Sequence, residues 1–313
     1  MNRTTIIIGA GIAGLLVARR LQAAGETVMV LDKSRGVGGR MATKRVAGAV
    51  FDQGAQYFTV RTPELAALAA DWTATGLIQD WGGAEHTRYI SPAGMTAVPK
   101  HLAAGLDLRR EHKALAVRRT DSGWTIELEE RPALAADRLV LTAPAPQSLA
   151  LLKAGAVSLP DAWADEIAAL DYHPCLALLL LLDGPAAVSA GGIAPGAGPV
   201  RWLADNTAKR VSPGPGAALT VHTTAEFAAA HYTKTEAEVF ALLDAALEPW
   251  LGGSRVVTTA LHRWRYSEPR RTCRAPCVWL PELQLGLAGD AFGGPKVEGA
   301  VRSGLALAAS LGV

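Results

Sequence analysis

Residues Thr4–Asp32, TTIIIGAGIAGLLVARRLQAAGETVMVLD, decide how the rest of the chain is read. Ile6, Ile7 and Ile8 form a β-branched run suited to a buried parallel strand, and Gly9, Gly11 and Gly14 follow it at G-x-G-x-x-G spacing. A strand that turns straight into a helix needs Gly9 for the tight turn. Gly11 lets a pyrophosphate approach the backbone, and Gly14 lets the helix lie close on the sheet. Leu15, Leu16, Ala18, Arg19 and Leu21 continue at helical spacing to Ala24-Gly25, where glycine suits a left-handed cap. Thr27 to Leu31 reads as the second strand. Asp32 stands at its end, eighteen residues past Gly14, where a carboxylate can accept hydrogen bonds from ribose hydroxyls. The stretch predicts a dinucleotide site with an unphosphorylated ribose, as in FAD or NAD.

The chain has 313 residues, enough for two domains and a bound cofactor. Half the residues are apolar and the formal charge is +2, which describes a globular protein without a field that selects nucleic acid or an anionic membrane. Arg3 before an apolar run imitates a signal peptide, but the glycine spacing and Asp32 assign that run to the fold itself. Cys175–Leu182 is too short to cross a bilayer and reads as a buried strand. Three cysteines, Cys175, Cys273 and Cys277, argue for free thiols in a reducing, cytoplasmic setting, and no metal site is expected from their spacing.

After Asp32, the segment KSRGVGGRMATKR mixes Lys33, Arg35, Arg40, Lys44 and Arg45 with glycines. It reads either as a solvated basic loop or as a second phosphate-contacting loop, with Arg40 as the forked donor. A nicotinamide Rossmann domain does not require such a loop, which favours FAD. Phe51–Phe58 is a polar and aromatic cluster in which Gly54 marks a close backbone approach, to the flavin ring if FAD is bound. Pro63–Ala74, Met95–Ala104 and Thr235–Leu247 read as helices. Leu77–Trp81, Arg88–Ile90, Leu176–Leu182 and Ala218–Thr223 read as strands. Alternation on both sides of Asp121-Ser122-Gly123 predicts a hairpin of a β-meander, followed by a buried strand over 137–142. Gly/Pro-rich loops at 184–199 and 212–216 belong to a second domain. Leu285–Phe292 is a strand ending in Gly289-Asp290 ahead of a final helix, which brings a carboxylate and a positive helix end together.

GAGIAG, LDKSRGVGGR, DRLVLTAPAP and GLAGDAF, in that order, resemble the glutathione-reductase-like FAD superfamily. LDKSRGVGGRMATKR, FDQGAQYFT, LTAPAPQ, LHRWRY and the terminal GD with VEGA resemble the renalase family, particularly its bacterial members, along nearly the whole chain. The resemblance implies an α/β fold with a Rossmann-like FAD-binding domain of parallel sheet and β-meander. A smaller α+β substrate domain with a mixed or antiparallel sheet completes it. Residues 1–60, 93–150 and 282–313 form the discontinuous first domain, and 61–92 and 151–281 the second.

It further implies non-covalent FAD and an oxidase that takes hydride from 2- and 6-dihydroNAD(P), returning it to O2 as hydrogen peroxide. The flavin carries the chemistry, so no protein nucleophile is required. The implied cofactor contacts are Gly9, Gly11, Ala13, Gly14, Asp32, Lys33, Arg40, Gly54, Ala55, Gln56, Val117, Gly289, Asp290, Val297, Glu298, Gly299 and Ala300. Gln56 and Tyr57 would border the flavin ring, with His262 and Trp264 facing the substrate. Arg263 and Arg265 would hold its phosphates. The same LHRWRY residues also read as an ordinary mixed strand with Trp in the core and arginines outside. Two rivals remain: an amine or polyamine oxidase, although GDAFGGPKVEGA lacks the Tyr and Cys such enzymes place against the flavin, and a flavin-binding sensor without turnover.

Overall fold

The computed structural model describes residues 3–83 and 86–313. Strand Thr4–Ile8 lies inside a six-stranded sheet, paired in parallel with Thr27–Leu31 on one side and Arg138–Leu141 on the other. Asp107–Arg109 extends the sheet beyond Thr27–Leu31, and Leu285–Leu287 beyond Arg138–Leu141; the hairpin strand Val278–Leu280 closes that edge antiparallel. Side chains alternate across this sheet. Ile7, Val28, Val30 and Val140 pack on one face under helices Ile12–Ala23 and Lys296–Ser310. Ile6, Ile8, Leu139, Leu141 and Leu287 pack on the other, against Val117, Trp124 and Ile126. Burial on both faces explains why the strands are written as continuous apolar runs.

Trp124 and Ile126 belong to the expected meander, formed by Ala114–Thr120, Gly123–Leu128 and Arg131–Ala136. Gly25, at φ +82°, takes the left-handed position after the first helix.

The second sheet is antiparallel throughout, in the order Val200–Asp205, Ala218–Thr223, Tyr172–Leu182 and Val256–Pro269. Leu176, Leu178, Leu180 and Val221 face helices Ala225–His231 and Glu236–Leu247 through Ala228, Val239, Leu243 and Leu247. Thr235 starts the latter helix with a reciprocal capping box to Glu238. The opposite face receives Leu179, Ala218 and Ala260, which pack on Ala49 and Phe51 of strand Ala49–Asp52. That strand, paired with Thr43–Val46, therefore lays residues 49–52 on the second sheet, while Asp52 accepts from Met95 N, whose side chain lies in the core of the first.

Two segments pack differently from the sequence division. Leu65, Ala69, Trp72, Ile78 and Ile90, from residues 61–92, share one core with Ile7, Leu15 and Val301. Val278–Leu280, grouped by composition with 151–281, pairs with Leu285–Leu287 as part of the six-stranded sheet. In both cases the apolar stripe of a short element is buried against the nearest open face, and composition carries no record of which face that is. Helices Ala145–Ala154 and Asp161–Ala168 also lay outside the sequence reading; each starts behind a proline, Pro144 and Pro160, rather than behind a side-chain cap.

Candidate functional site

The glycine turn has the form a bound pyrophosphate requires. Gly9 sits at φ +117°, and a Cβ there would lie 2.6 Å from Thr142 Oγ1; a Cβ on Gly14 would lie 2.2 Å from the Gly9 carbonyl oxygen. Both glycines are demanded by the protein's own packing. Gly11 differs, because a Cβ there meets no protein atom within 4 Å and would project into the open cradle before the helix. Asp32 latches this turn: Oδ2 accepts from Ala10 N and Oδ1 from Ser34 N, both at 2.8 Å. Each carboxylate oxygen keeps a lone pair for a ribose hydroxyl. Gly38 N donates to the Ala10 carbonyl at 2.8 Å, so the basic loop folds onto the glycine turn, while Lys33 is exposed.

The C-terminal segment meets that loop. Arg40 grips Asp290 bidentately, Nη1 to Oδ2 at 2.5 Å and Nη2 to Oδ1 at 2.7 Å, and Nη1 also reaches the Ser267 carbonyl at 3.3 Å. Burial alone would lower the guanidinium pKa; the Asp290 charge outweighs it and holds Arg40 more firmly protonated. The forked contact expected toward phosphate is thus spent largely on a carboxylate, leaving Nε and one Nη2 hydrogen. Gly289, at φ +142°, precedes Asp290, and Lys296 opens the last helix at φ +74°, a left-handed geometry costing a non-glycine residue about 1–3 kcal/mol. No side chain caps that helix. Its first backbone N–H groups are therefore free to face an electron-rich ring edge. Val297 is buried in the core, and the Glu298 carboxylate instead accepts from Arg61 N and Thr62 N at 2.6 and 2.7 Å. A Cβ on Gly299 would sit 1.6 Å from the Gly294 carbonyl oxygen; Ala300 packs at the rim of the same core. Ala13 backs the crossing of the first and last helices, where a Cβ on Gly304 would lie 2.6 Å from its carbonyl oxygen. The Val117 side chain is fully buried in the meander core, so only its backbone remains for a ligand.

Between these two ends lies a buried polar knot that the sequence left unread. Asp52 and Lys209 form an ion pair at 2.8 Å with both side chains wholly inaccessible. Lys209 Nζ also donates to the Gln56 carbonyl at 2.9 Å, and Asp52 Oδ1 accepts from Thr43 Oγ1 at 2.7 Å and Met95 N at 2.8 Å. Gly54 is required by the Arg40 backbone rather than by a ring: its Cβ would be 2.0 Å from the Arg40 carbonyl oxygen, which accepts from Ala55 N. Gln56 directs both amide hydrogens to the carbonyls of Asp52 and Gly54, so Oε1 is fixed as its remaining acceptor, buried and unpartnered among the described residues.

Strand Val256–Pro269 resolves the LHRWRY alternatives. Trp264 Nε1 donates to the Gln53 carbonyl at 2.9 Å, and His262 stacks edge-on against Trp264 at 4.2 Å. His222 Nε2 lies 3.1 Å from the same carbonyl, which can only accept, so this nitrogen carries the proton. Burial pushes His222 down to about 4, and burial followed by the Lys44 charge lowers His262; both are neutral at pH 7. Arg263, one residue out of phase, caps the Tyr232 and Lys234 carbonyls, and Arg265 lies 5.8 Å from the Tyr232 ring centre. The period of two puts the arginines on the face opposite His262 and Trp264, so the structure does not gather the four as one substrate cluster.

Tyr57 instead meets Trp81 and Trp202, at 6.0 and 5.5 Å between ring centres. Lys209 Nζ lies 5.3 Å from the Trp81 ring and Arg88 lies over Tyr57, which connects this aromatic wall to the polar knot. The reading of 51–58 named the flavin ring as its neighbour; Trp81, Trp202 and Lys209 arrive from segments too distant to be read locally. No helix among the described residues is long and apolar enough to cross a membrane.

Residues 7–72 match the NAD(P)-binding Rossmann-like domain family, and residues 73–311 match the flavin containing amine oxidoreductase family. Renalase from Mus musculus is 25% identical over 294 residues, covering 84% of each chain. Putrescine oxidase from Kocuria rosea is 46% identical over 68 residues, 22% of this chain and 14% of that one. The solved structure of wild-type putrescine oxidase bound to putrescine aligns with TM-score 0.74 over 99% of both chains at 16% identity, a likeness of fold. The glycine cradle, Asp32 and the uncapped final helix fit a dinucleotide with a flavin ring, and with these matches the cofactor is FAD. The chain belongs to the flavin containing amine oxidoreductase family, as a renalase-like, FAD-dependent oxidoreductase.

Proposed function

We propose that this oxidoreductase oxidises isomeric dihydronicotinamide dinucleotides, the 2- and 6-dihydro forms of NAD(P), in preference to amines. The observation that carries the reading is electrostatic. The carboxylates between the glycine cradle and the aromatic wall are already matched to cations, Asp52 to Lys209 and Asp290 to Arg40, and Glu298 is held by the Arg61 and Thr62 backbone N–H groups, so none of these three is free to receive an alkylammonium. A dinucleotide brings planar rings and negative charge, which suit an aromatic wall with a guanidinium beside it. FAD, when bound, supplies the hydride acceptor and passes electrons to O2.

The protein's share is to bind, orient and exclude water. The Gly11 cradle and Asp32 would hold the adenosine end, Asp290 with Arg40 the middle, and the N–H groups at 297–300 the electron-rich end of the ring system. Gln56, Tyr57, His262 and Trp264 would set the donor ring's position; neutral His262 and His222 add no charge there. The six-stranded sheet with its meander is the FAD-binding domain in this proposal, and the antiparallel sheet the substrate domain.

Anaerobic mixing with 2-, 4- and 6-dihydroNAD(P) and with putrescine, following flavin bleaching, tests the assignment. Bleaching by the 2- or 6-isomers far faster than by the others is expected. Rapid bleaching by putrescine, with none from the isomers, would replace this reading with an amine oxidase; slow bleaching by all would leave a sensor.

A further inference from the structure

The aromatic wall supports one more assignment, which rests on the dinucleotide reading. Tyr57, Trp81 and Trp202 come from three separate segments; Tyr57 and Trp202 pack around one cation, and Trp81 lies against Tyr57 at 6.0 Å between ring centres. The Arg88 guanidinium carbon lies 4.8 Å from the Tyr57 ring centre and 5.4 Å from that of Trp202. Nη1 donates to the Gly191 carbonyl at 2.9 Å, and among the described residues no carboxylate pairs with this guanidinium. The loop is shaped to the wall: Gly192 holds φ +74°, and a Cβ there would lie 2.4 Å from Trp202 Cζ2.

The indole nitrogens of Trp81 and Trp202 are both buried, and neither has a hydrogen-bond partner among the described residues. One unpaired buried donor costs about 1–3 kcal/mol, so two in one aromatic wall, one of them on the Trp202 ring against the Arg88 guanidinium, mark a place where an acceptor belongs. Flat rings, two N–H donors without an acceptor and a guanidinium without a counter-charge among the described residues are complementary to an anionic oxygen group on a planar substrate. We propose that Arg88, with the indole N–H groups of Trp81 and Trp202, is a specificity-determining residue that receives a phosphate of the dinucleotide substrate. Nε and Nη2, not engaged by Gly191, offer the fork that matches phosphate oxygens. Arg88 thereby takes the role that the resemblance implied for Arg263 and Arg265.

A phosphate remote from the reacting carbon is held equally before and during hydride transfer, so its loss raises the substrate concentration required and leaves the saturated rate. Flavin-loaded protein carrying Arg88→Met, which keeps an apolar stem between the rings, or Arg88→Lys is compared with the parent by anaerobic stopped flow. The substrates are 2- and 6-dihydroNAD and the corresponding dihydronicotinamide riboside, which lacks phosphate. Arg88→Met should raise the apparent dissociation constant of the dinucleotide about 10- to 100-fold and change the limiting rate by less than about threefold, with Arg88→Lys between. The riboside should be unaffected. An equal loss with the riboside would show that Arg88 only shapes the wall, and would overturn the inference. Calorimetric titration of ADP-ribose into the oxidised flavoprotein separates this inference from the reaction. Weaker ADP-ribose binding in Arg88→Met supports the phosphate site even if no dihydronicotinamide bleaches the flavin. Binding that is absent from the parent or unchanged by the variant overturns it.

Discussion

Replacing Lys209 with Met would leave the Asp52 carboxylate inside the joint between the two sheets with its counter-charge removed. Breaking a wholly buried pair from one side costs about 3–5 kcal/mol. Here Asp52 Oδ1 keeps Thr43 Oγ1 and Met95 N, and only Oδ2 is stripped, so the lower end, about 3 kcal/mol, is expected. At about 2–4 °C per kcal/mol this lowers the melting temperature by about 6–12 °C. Asp52→Asn leaves the Lys209 ammonium with the Gln56 carbonyl and should cost a similar amount. The double variant Asp52→Asn/Lys209→Met should cost about as much as either single, about 3–4 kcal/mol rather than the additive sum of about 6, giving a coupling energy of about 2–3 kcal/mol. Urea unfolding of all four proteins, followed by tryptophan fluorescence at matched flavin content, measures the cycle. Single variants within 1 kcal/mol of the parent, or a double variant as unstable as the sum of the two, would refute the pair as a structural keystone.

Gly11→Val should fold normally yet purify without flavin, because a Cβ there enters the cradle and meets no protein atom within 4 Å; Gly14→Ala should lose stability whether or not flavin binds. Absorbance at 450 nm and thermal melting separate the two, and acid precipitation of the parent should release FAD into the supernatant. Arg263→Ala should leave the half-saturating substrate concentration within about twofold, since this arginine holds the Tyr232 and Lys234 carbonyls; steady-state kinetics check it. His222 is held down at about 4 while the unfolded chain titrates near 6.5, so the unfolded state binds the extra proton first. Stability is therefore fully present above about pH 6.5 and declines as pH falls toward 4; His222→Gln should flatten that slope in chemical unfolding curves.

Local order was legible where one element carries its own reason. The glycine spacing and the both-faces-buried strands each state a backbone conformation in a few residues. The limits of helix Pro63–Ala74 and of strand Ala218–Thr223 came out as read. What a side chain faces was legible only where period and burial agreed. LHRWRY shows the period of two that separates Trp264 from Arg263, yet which face meets the site depends on strand Tyr172–Leu182 beside it. Gly54 announced a close approach without naming its partner, the Arg40 carbonyl. Asp52 and Lys209, 157 residues apart, had no local signal at all: each is an unremarkable charge until the fold removes water from both.

The Arg40–Asp290 grip spans 250 residues and has a consequence for synthesis. At about 5–20 residues per second, the ribosome delivers Asp290 about 14–58 s after the first residue. Until then the basic loop has no carboxylate to close on, and Arg138–Leu141 has an open edge where Leu285–Leu287 will pair. The nascent chain carries an apolar sheet edge, a template for wrong pairing, until Leu285–Leu287 has been made. In the proposed reading flavin capture also waits for helix Lys296–Ser310, which covers the sheet and would complete the cradle.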